Sequence, residues 1–146
     1  MYEDDLARVD LFSGLRKKEL KEVATHCREG TYSPGSVLIA QGEKGLGLFI
    51  LTKGTVRITR ANSPDGAEQV LGTVEAWDVI GEMALLDDLP RSATVTAVDE
   101  VTVLVLPFWD FRILMRDILR SDPDVGLNLM AVLSRRLRKA EQRVNE

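Results

Sequence analysis

The chain has 146 residues, 45% of them hydrophobic and 29% charged, with a formal net charge of −4; that closes one core and is too short for two unrelated enzyme domains. A single cysteine, Cys27, excludes an internal disulfide and a thiolate metal cage, and a single histidine, His26, excludes multi-histidine metal chemistry and leaves little for a histidine-based triad. The acidic balance argues against broad attraction to nucleic acid or anionic lipid, no apolar run approaches the ~18–20 residues of a membrane helix, and the polar start Met1-Tyr2-Glu3-Asp4-Asp5 is no secretory signal.

Leu6 to Cys27 reads as helical, because Leu6, Val9, Leu11, Phe12, Leu15, Leu20, Val23 and Ala24 recur at spacings near three and four. Ser13-Gly14 divides it into two helices, with Ser13 as candidate N-cap of the second. His26 and Cys27 read as a helix-end histidine and a half-buried thiol, not as catalytic groups. From Thr31 to Leu106 short β-branched runs alternate with turn residues, and the strands predicted are Thr31-Tyr32, Val37–Ala40, Leu48–Leu51, Thr55–Arg60, Gln69–Thr73, Ala93–Val98 and Thr102–Leu106. Asn62 to Gly66 has hairpin-loop chemistry. Strands at this spacing point to a sandwich, barrel or jelly roll, and with no GxGxxG and no Walker loop a doubly wound nucleotide fold is disfavoured. Pro107 suits a first helical turn, followed by an apolar face of Phe108, Phe111, Leu114 and Met115. Asp122-Pro123 opens a long helix with the stripe Val125, Leu129, Leu133, Leu137, Ala140 and Val144. That stripe either packs on the chain's own roll or forms part of a homodimer seam through 122–144. Arg135, Arg136, Arg138, Lys139 and Arg143 read as a solvated helix face.

The segment from Val79 to Val95 carries the chemistry. It interrupts the strands. Gly81 permits a close backbone approach, Glu82 to Leu86 can form a short helix with free N–H groups at its start, and Asp87-Asp88-Leu89-Pro90 returns the chain to Arg91 and Ser92. A helix start, an arginine fork and a hydroxyl make a phosphate cradle. Glu82 would repel phosphate, but it can accept from a neighbouring sugar hydroxyl. The segment therefore suggests a phosphate joined to a ribose, against the alternative of a surface turn with an Arg–Glu pair. One guanidinium attracts such a ligand locally, whatever the net charge.

Gly81-Glu82-Met83-Ala84-Leu85-Leu86 through Pro90-Arg91-Ser92-Ala93-Thr94-Val95 resembles the phosphate-binding cassette of cyclic-nucleotide-binding domains, such as those of catabolite activator protein and protein kinase A regulatory subunits. Leu11-Phe12-Ser13-Gly14-Leu15 resembles the family's first helix. Pro34–Ile39, Gln41-Gly42-Glu43, Phe49-Ile50-Leu51 and Gly54-Thr55-Val56 resemble its early glycine turns, so that the likeness runs from about Leu6 to Val144. The resemblance implies a mainly β fold with flanking helices: N-terminal helices over 1–30, a double-stranded β-helix (jelly roll) over 31–106 with its cassette at 80–95, and a hinge helix plus a long helix over 107–146, together one domain that fills the chain. It implies that Arg91 pairs with the cyclic phosphate, that Glu82 takes the ribose 2′-hydroxyl, and that Ser92 adds a hydroxyl. Gly81, Met83, Ala84 and Ala93 would line the ligand closely, and Val70 and Leu71 would wall the base. Leu85 and Leu86 would pack on the hinge helix around Phe108 and Phe111. Trp77 stands where the family usually has Gly before Asp78, and Ile80 where Phe is frequent. Ala140-Glu141 replaces the Thr-Ser pair with which bacterial activators of the family bond adenine, so the base contact is absent or comes from elsewhere, with Arg138 and Lys139 as candidates.

The resulting expectation is a cytoplasmic regulatory module that binds cAMP, with cGMP as the alternative, and moves its C-terminal helices, with no cofactor, catalytic residue, metal or membrane contact. A metal-dependent jelly-roll enzyme lacks ligands. A degenerate interaction domain is opposed by the intact Glu82/Arg91 pair. DNA contact is not expected from this chain, which ends at Glu146 with no helix-turn-helix. Within a longer protein it would serve as the sensor of a transcription regulator, channel or enzyme.

Overall fold

A computed structural model describes residues 2–45, 47–61, 66–82 and 90–145, except for the side chains of 140–145. Two short helices, α1 (Glu3–Ala7) and α2 (Lys17–Thr25), flank a 3-10 turn at Asp10–Phe12. Eight strands follow among the described residues: β1 (Arg28–Tyr32), β2 (Val37–Ile39), β3 (Gly47–Lys53), β4 (Thr55–Ala61), β5 (Glu68–Glu75), β6 (Val79–Ile80), β7 (Thr94–Ala97) and β8 (Val101–Pro107). The helices α3 (Phe108–Ser121) and α4 (Asp124–Asn145) close the chain. The strands form two four-stranded sheets, in the orders β1-β8-β3-β6 and β2-β7-β4-β5, with every pairing antiparallel. This is the jelly-roll arrangement expected, with helices at both ends.

The inner strands of the first sheet, β3 and β8, are buried on both faces, which is why they read as almost unbroken apolar runs. Leu48, Ile50, Leu104 and Leu106 face a cluster with Leu6, Phe12, Val23, Phe108, Phe111, Ile118 and Val132 of the helices. Leu51, Val101 and Val103 face the second sheet, against Val56, Val95 and Ala97. Alternation with period two sends neighbours to opposite cores, and each fully buried aliphatic side chain contributes about 1.5–3 kcal/mol.

Several boundaries differ from expectation. Strand β1 starts at Arg28: its polar residues lie at the edge of the sheet and still pair with β8, from Arg28↔Val105 to Tyr32↔Val101. Strand β6, too short to show alternation, pairs Ile80 with Phe49. Ser13 does not cap α2. The cap position is Arg16, whose backbone N–H donates to Glu19 Oε1 at 2.8 Å, while the Ser13 hydroxyl accepts from Asn128 Nδ2 of α4 at 3.1 Å. Pro107 ends β8 immediately before α3, and α4 begins just after Pro123. The hairpin residues Asn62–Asp65 lie outside the described residues, between strands whose last pair is Ala61↔Glu68.

The stripe expected on α4 is two faces. Val125 and Val132 are buried, and Leu129 and Leu133 pack beside them. Leu137 is not among them: with Leu127 and Met130 it is about 60% exposed on another side, at 63%, 59% and 60% for Leu127, Met130 and Leu137.

Candidate functional site

The turn after β6 and the segment before β7 meet at Arg91. Its side chain is buried, 7% exposed. Nη2 donates to Gly47 O at 2.7 Å and Nη1 to Gly81 O at 3.3 Å. The guanidinium carbon lies 5.2 Å from the centre of the Phe108 ring, at the first residue of α3. Gly81 has φ +88°, and a Cβ there, or at Gly45, would overlap the guanidinium. Both glycines thus make room for the arginine. Burial lowers the pKa of Arg91 and the charge of Glu82 acts against that shift. Its described partners are carbonyl dipoles, and these two bonds use two of its five N–H donors. A buried guanidinium held, among the described residues, by carbonyl dipoles is chemically able to attract an anion.

Glu82 follows directly. Its Oε1 accepts from Arg136 Nη1 of α4 at 3.4 Å. Arg136 also donates through Nη2 to Asp10 Oδ1 at 3.0 Å and to Asp78 Oδ1. Burial opposes the charge of Arg136, but its hydrogen bonds to Asp78 and Asp10 and the negative charges of Asp78 and Glu82 outweigh that and raise its pKa. Arg136 is therefore not part of a solvated helix face: its side chain is 20% exposed, whereas Arg135, Arg138 and Lys139 are exposed as expected. Helical spacing alone could not separate it from its neighbours. The signal that could have done so was the acidic set Asp10, Asp78 and Glu82 waiting for a cation.

Of the other residues expected at the site, Ser92 is exposed and Ala93 half-buried just before β7. Val70 lies on β5 opposite Thr59, 61% exposed, and Leu71 beside it is half-buried at the β4–β5 register shift. Met83, Ala84, Leu85 and Leu86 lie outside the described residues, as do the side chains of Ala140 and Glu141; Phe108 and Phe111 are buried. The structure thus brings Gly81, Glu82 and Arg91 together. His26 sits at the end of α2, with Nδ1 3.4 Å from Asp110 Oδ2 of α3. An open groove of about 540 Å³, lined by Arg8, Asp10, Glu75, Trp77 and Asp78 among others, lies elsewhere. It does not include Arg91, and Asp10 and Asp78 are already engaged by Arg136.

The fold is a jelly roll in which a buried arginine and a carboxylate meet after β6. Residues 29–117 match the family model described as Cyclic nucleotide-binding domain, and the chain belongs to that family. It is 34% identical over 131 residues to the Cyclic AMP receptor protein of Thermus thermophilus, covering 90% of this chain and 58% of that protein. It is 41% identical over 97 residues to Acetyltransferase Pat of Mycolicibacterium smegmatis, covering 66% of this chain and 28% of that protein. Among solved structures, the N-terminal domain of a transcriptional regulator from Streptomyces coelicolor A3(2) superposes with a TM-score of 0.75 at 35% identity, covering 97% of this chain and 95% of that one. The chain spans well under two thirds of the two full-length relatives.

Proposed function

We propose that residues 1–146 act as one sensing domain that binds cAMP and signals by moving its C-terminal helices. The observation that carries this is Arg91: a buried guanidinium, bonded to backbone carbonyls, against the first residue of α3. A cyclic phosphate would take its remaining donors, with the Ser92 hydroxyl beside it. Glu82 would accept from the ribose 2′-hydroxyl while Arg136 orients the carboxylate. Gly81, Met83, Ala84 and Ala93 would approach the ligand closely, and Val70 and Leu71 would wall the base. Gly47, whose carbonyl Arg91 holds, pairs with Pro107 at the root of α3. Drawing Arg91 towards phosphate would therefore loosen its hold at both Gly47 and Phe108 and shift the population towards a new packing of α3 and α4.

Ser92, at a position where members of the family that favour cGMP often carry Thr and many that favour cAMP carry Ala or Ser, and a relative named for cyclic AMP, favour cAMP over cGMP. The domain binds without turnover and works in the cytoplasm. The relatives' greater length, and the presence of a transcriptional regulator and an acetyltransferase among the matches, favour a sensor that serves a larger regulator. A second copy would pair through the exposed face of α4. Calorimetry tests the reading: saturable binding of cAMP, weaker for cGMP, and a loss of at least about 100-fold in R91A, as expected for removing charge-assisted bonds to an ionised ligand. No heat with either nucleotide would overturn it.

A further inference from the structure

The Arg91–Ser92 backbone is held from two sides. On one side the turn after β2 closes on the backbone of Arg91: Gly42 N donates to Arg91 O and Arg91 N to Glu43 O, both at 2.8 Å. The residue that begins this turn, Gln41, is anchored three times. Its backbone N donates to Thr94 Oγ1 at 3.0 Å, its side-chain Nε2 to Ala61 O at 2.9 Å, and its Oε1 accepts from Ala61 N at 2.8 Å. On the other side Arg60, next to Ala61 on β4, donates from Nε to Ser92 O at 2.9 Å. The end of β4 thus grips the Arg91–Ser92 backbone both directly, through Arg60, and through Gln41 and its turn.

We propose that Arg60 and Gln41 are positioning residues for phosphate recognition. They fix the backbone from which the Arg91 guanidinium and the Ser92 hydroxyl diverge, so that both are aimed before the ligand arrives. This inference rests on the cyclic-nucleotide reading above. Its physical content is preorganisation: donors already held in place lose less freedom on binding. Arg60 acts through one hydrogen bond, not through its charge. In Arg60→Gln the amide nitrogen falls at the same bond position as the arginine Nε and keeps the donor without the charge. In Arg60→Met the chain reaches the same position as in Arg60→Gln and the donor is lost.

The two exocyclic oxygens of a cyclic phosphate are inequivalent, and replacing one or the other by sulfur gives Rp and Sp isomers whose affinity ratio reads how firmly the cradle is aimed. The experiment measures binding of cAMP and of both isomers to wild type, R60M, R60Q and Q41A. Expected is about a tenfold weakening for cAMP in R60M and Q41A, the worth of one good hydrogen bond, with the isomer ratio falling towards one, and recovery of both affinity and ratio in R60Q. Equal loss in R60M and R60Q would mean that the charge acts, and would overturn the proposal. So would unchanged affinity in R60M, or weaker binding with an unchanged isomer ratio, the mark of a merely structural role. If wild type takes no cyclic nucleotide, the underlying function fails. If wild type binds and discriminates while the variants do not differ from it, the positioning role alone fails.

Discussion

Arg91 is buried where an arginine is costly, and the surroundings say why it stays. Two glycines clear its volume and, among the described residues, two carbonyls hold its nitrogens. Cys27 is the opposite case, a titratable group kept neutral. Its thiol is buried, donates to Val23 O at 3.5 Å, and burial pushes its pKa from an ordinary 9.0 up to about 12. The thiol is neutral when protonated, so a raised pKa favours the fold while the group stays protonated in both states. That contribution is whole below about pH 9 and is lost as pH rises towards 12. The urea midpoint should therefore drop more between pH 8 and 11 in wild type than in Cys27→Val; an identical drop would show that the thiol does not titrate with folding.

At the scale of elements, Arg136 joins three parts of the chain. It brings α4 to Asp78 and Glu82 at the two ends of β6 and to Asp10 in the 3-10 turn. Replacing it by Met would leave Asp10, Asp78 and Glu82 without the cation they share. A loss of about 1–3 kcal/mol is expected, below that of a fully buried pair because part of the network meets solvent. Urea unfolding gives the magnitude, and hydrogen exchange should quicken in α4 more than in β8. Uniform exchange rates and unchanged stability would mean that the clamp holds nothing. The helix that this clamp pins is also the one argued to move with ligand, so the same variant probes how tightly α4 is docked.

For the whole molecule the outer face of α4 is the surface proposed for pairing with a second copy. Leu127, Met130 and Leu137 are spaced by three and seven residues and stand exposed while the inner face is already packed. A helix with apolar residues on both sides has a second surface to bury, and a second copy of the same helix offers a matching stripe. Wild type should sediment as a dimer, and L127E with M130E as a folded monomer with an unchanged circular dichroism spectrum. A monomeric wild type would remove the dimer from the functional scheme.

The sequence alone determined the strand-rich middle between helices, because period-two alternation and turn residues are local signals. It also pointed to Gly81, Glu82 and Arg91 as one cluster, because they stand close in the chain with residue types suited to a sugar phosphate. Strand β6 and the start of β1 escaped it: one is too short to alternate and the other is polar, and both are held only by partners distant in sequence. The faces of α4 escaped it for a related reason. Leu129 and Leu137 are equally apolar, and only the path of the helix across the roll sends one inward and the other to solvent. Arg136 beside Glu82, and Arg60 and Gln41 behind Arg91, were invisible for the same cause. A hydrogen bond between residues far apart in the chain leaves no mark on local pattern. Tertiary structure alone brings the donors and acceptors of β4, the turn after β2 and α4 within reach of the cassette.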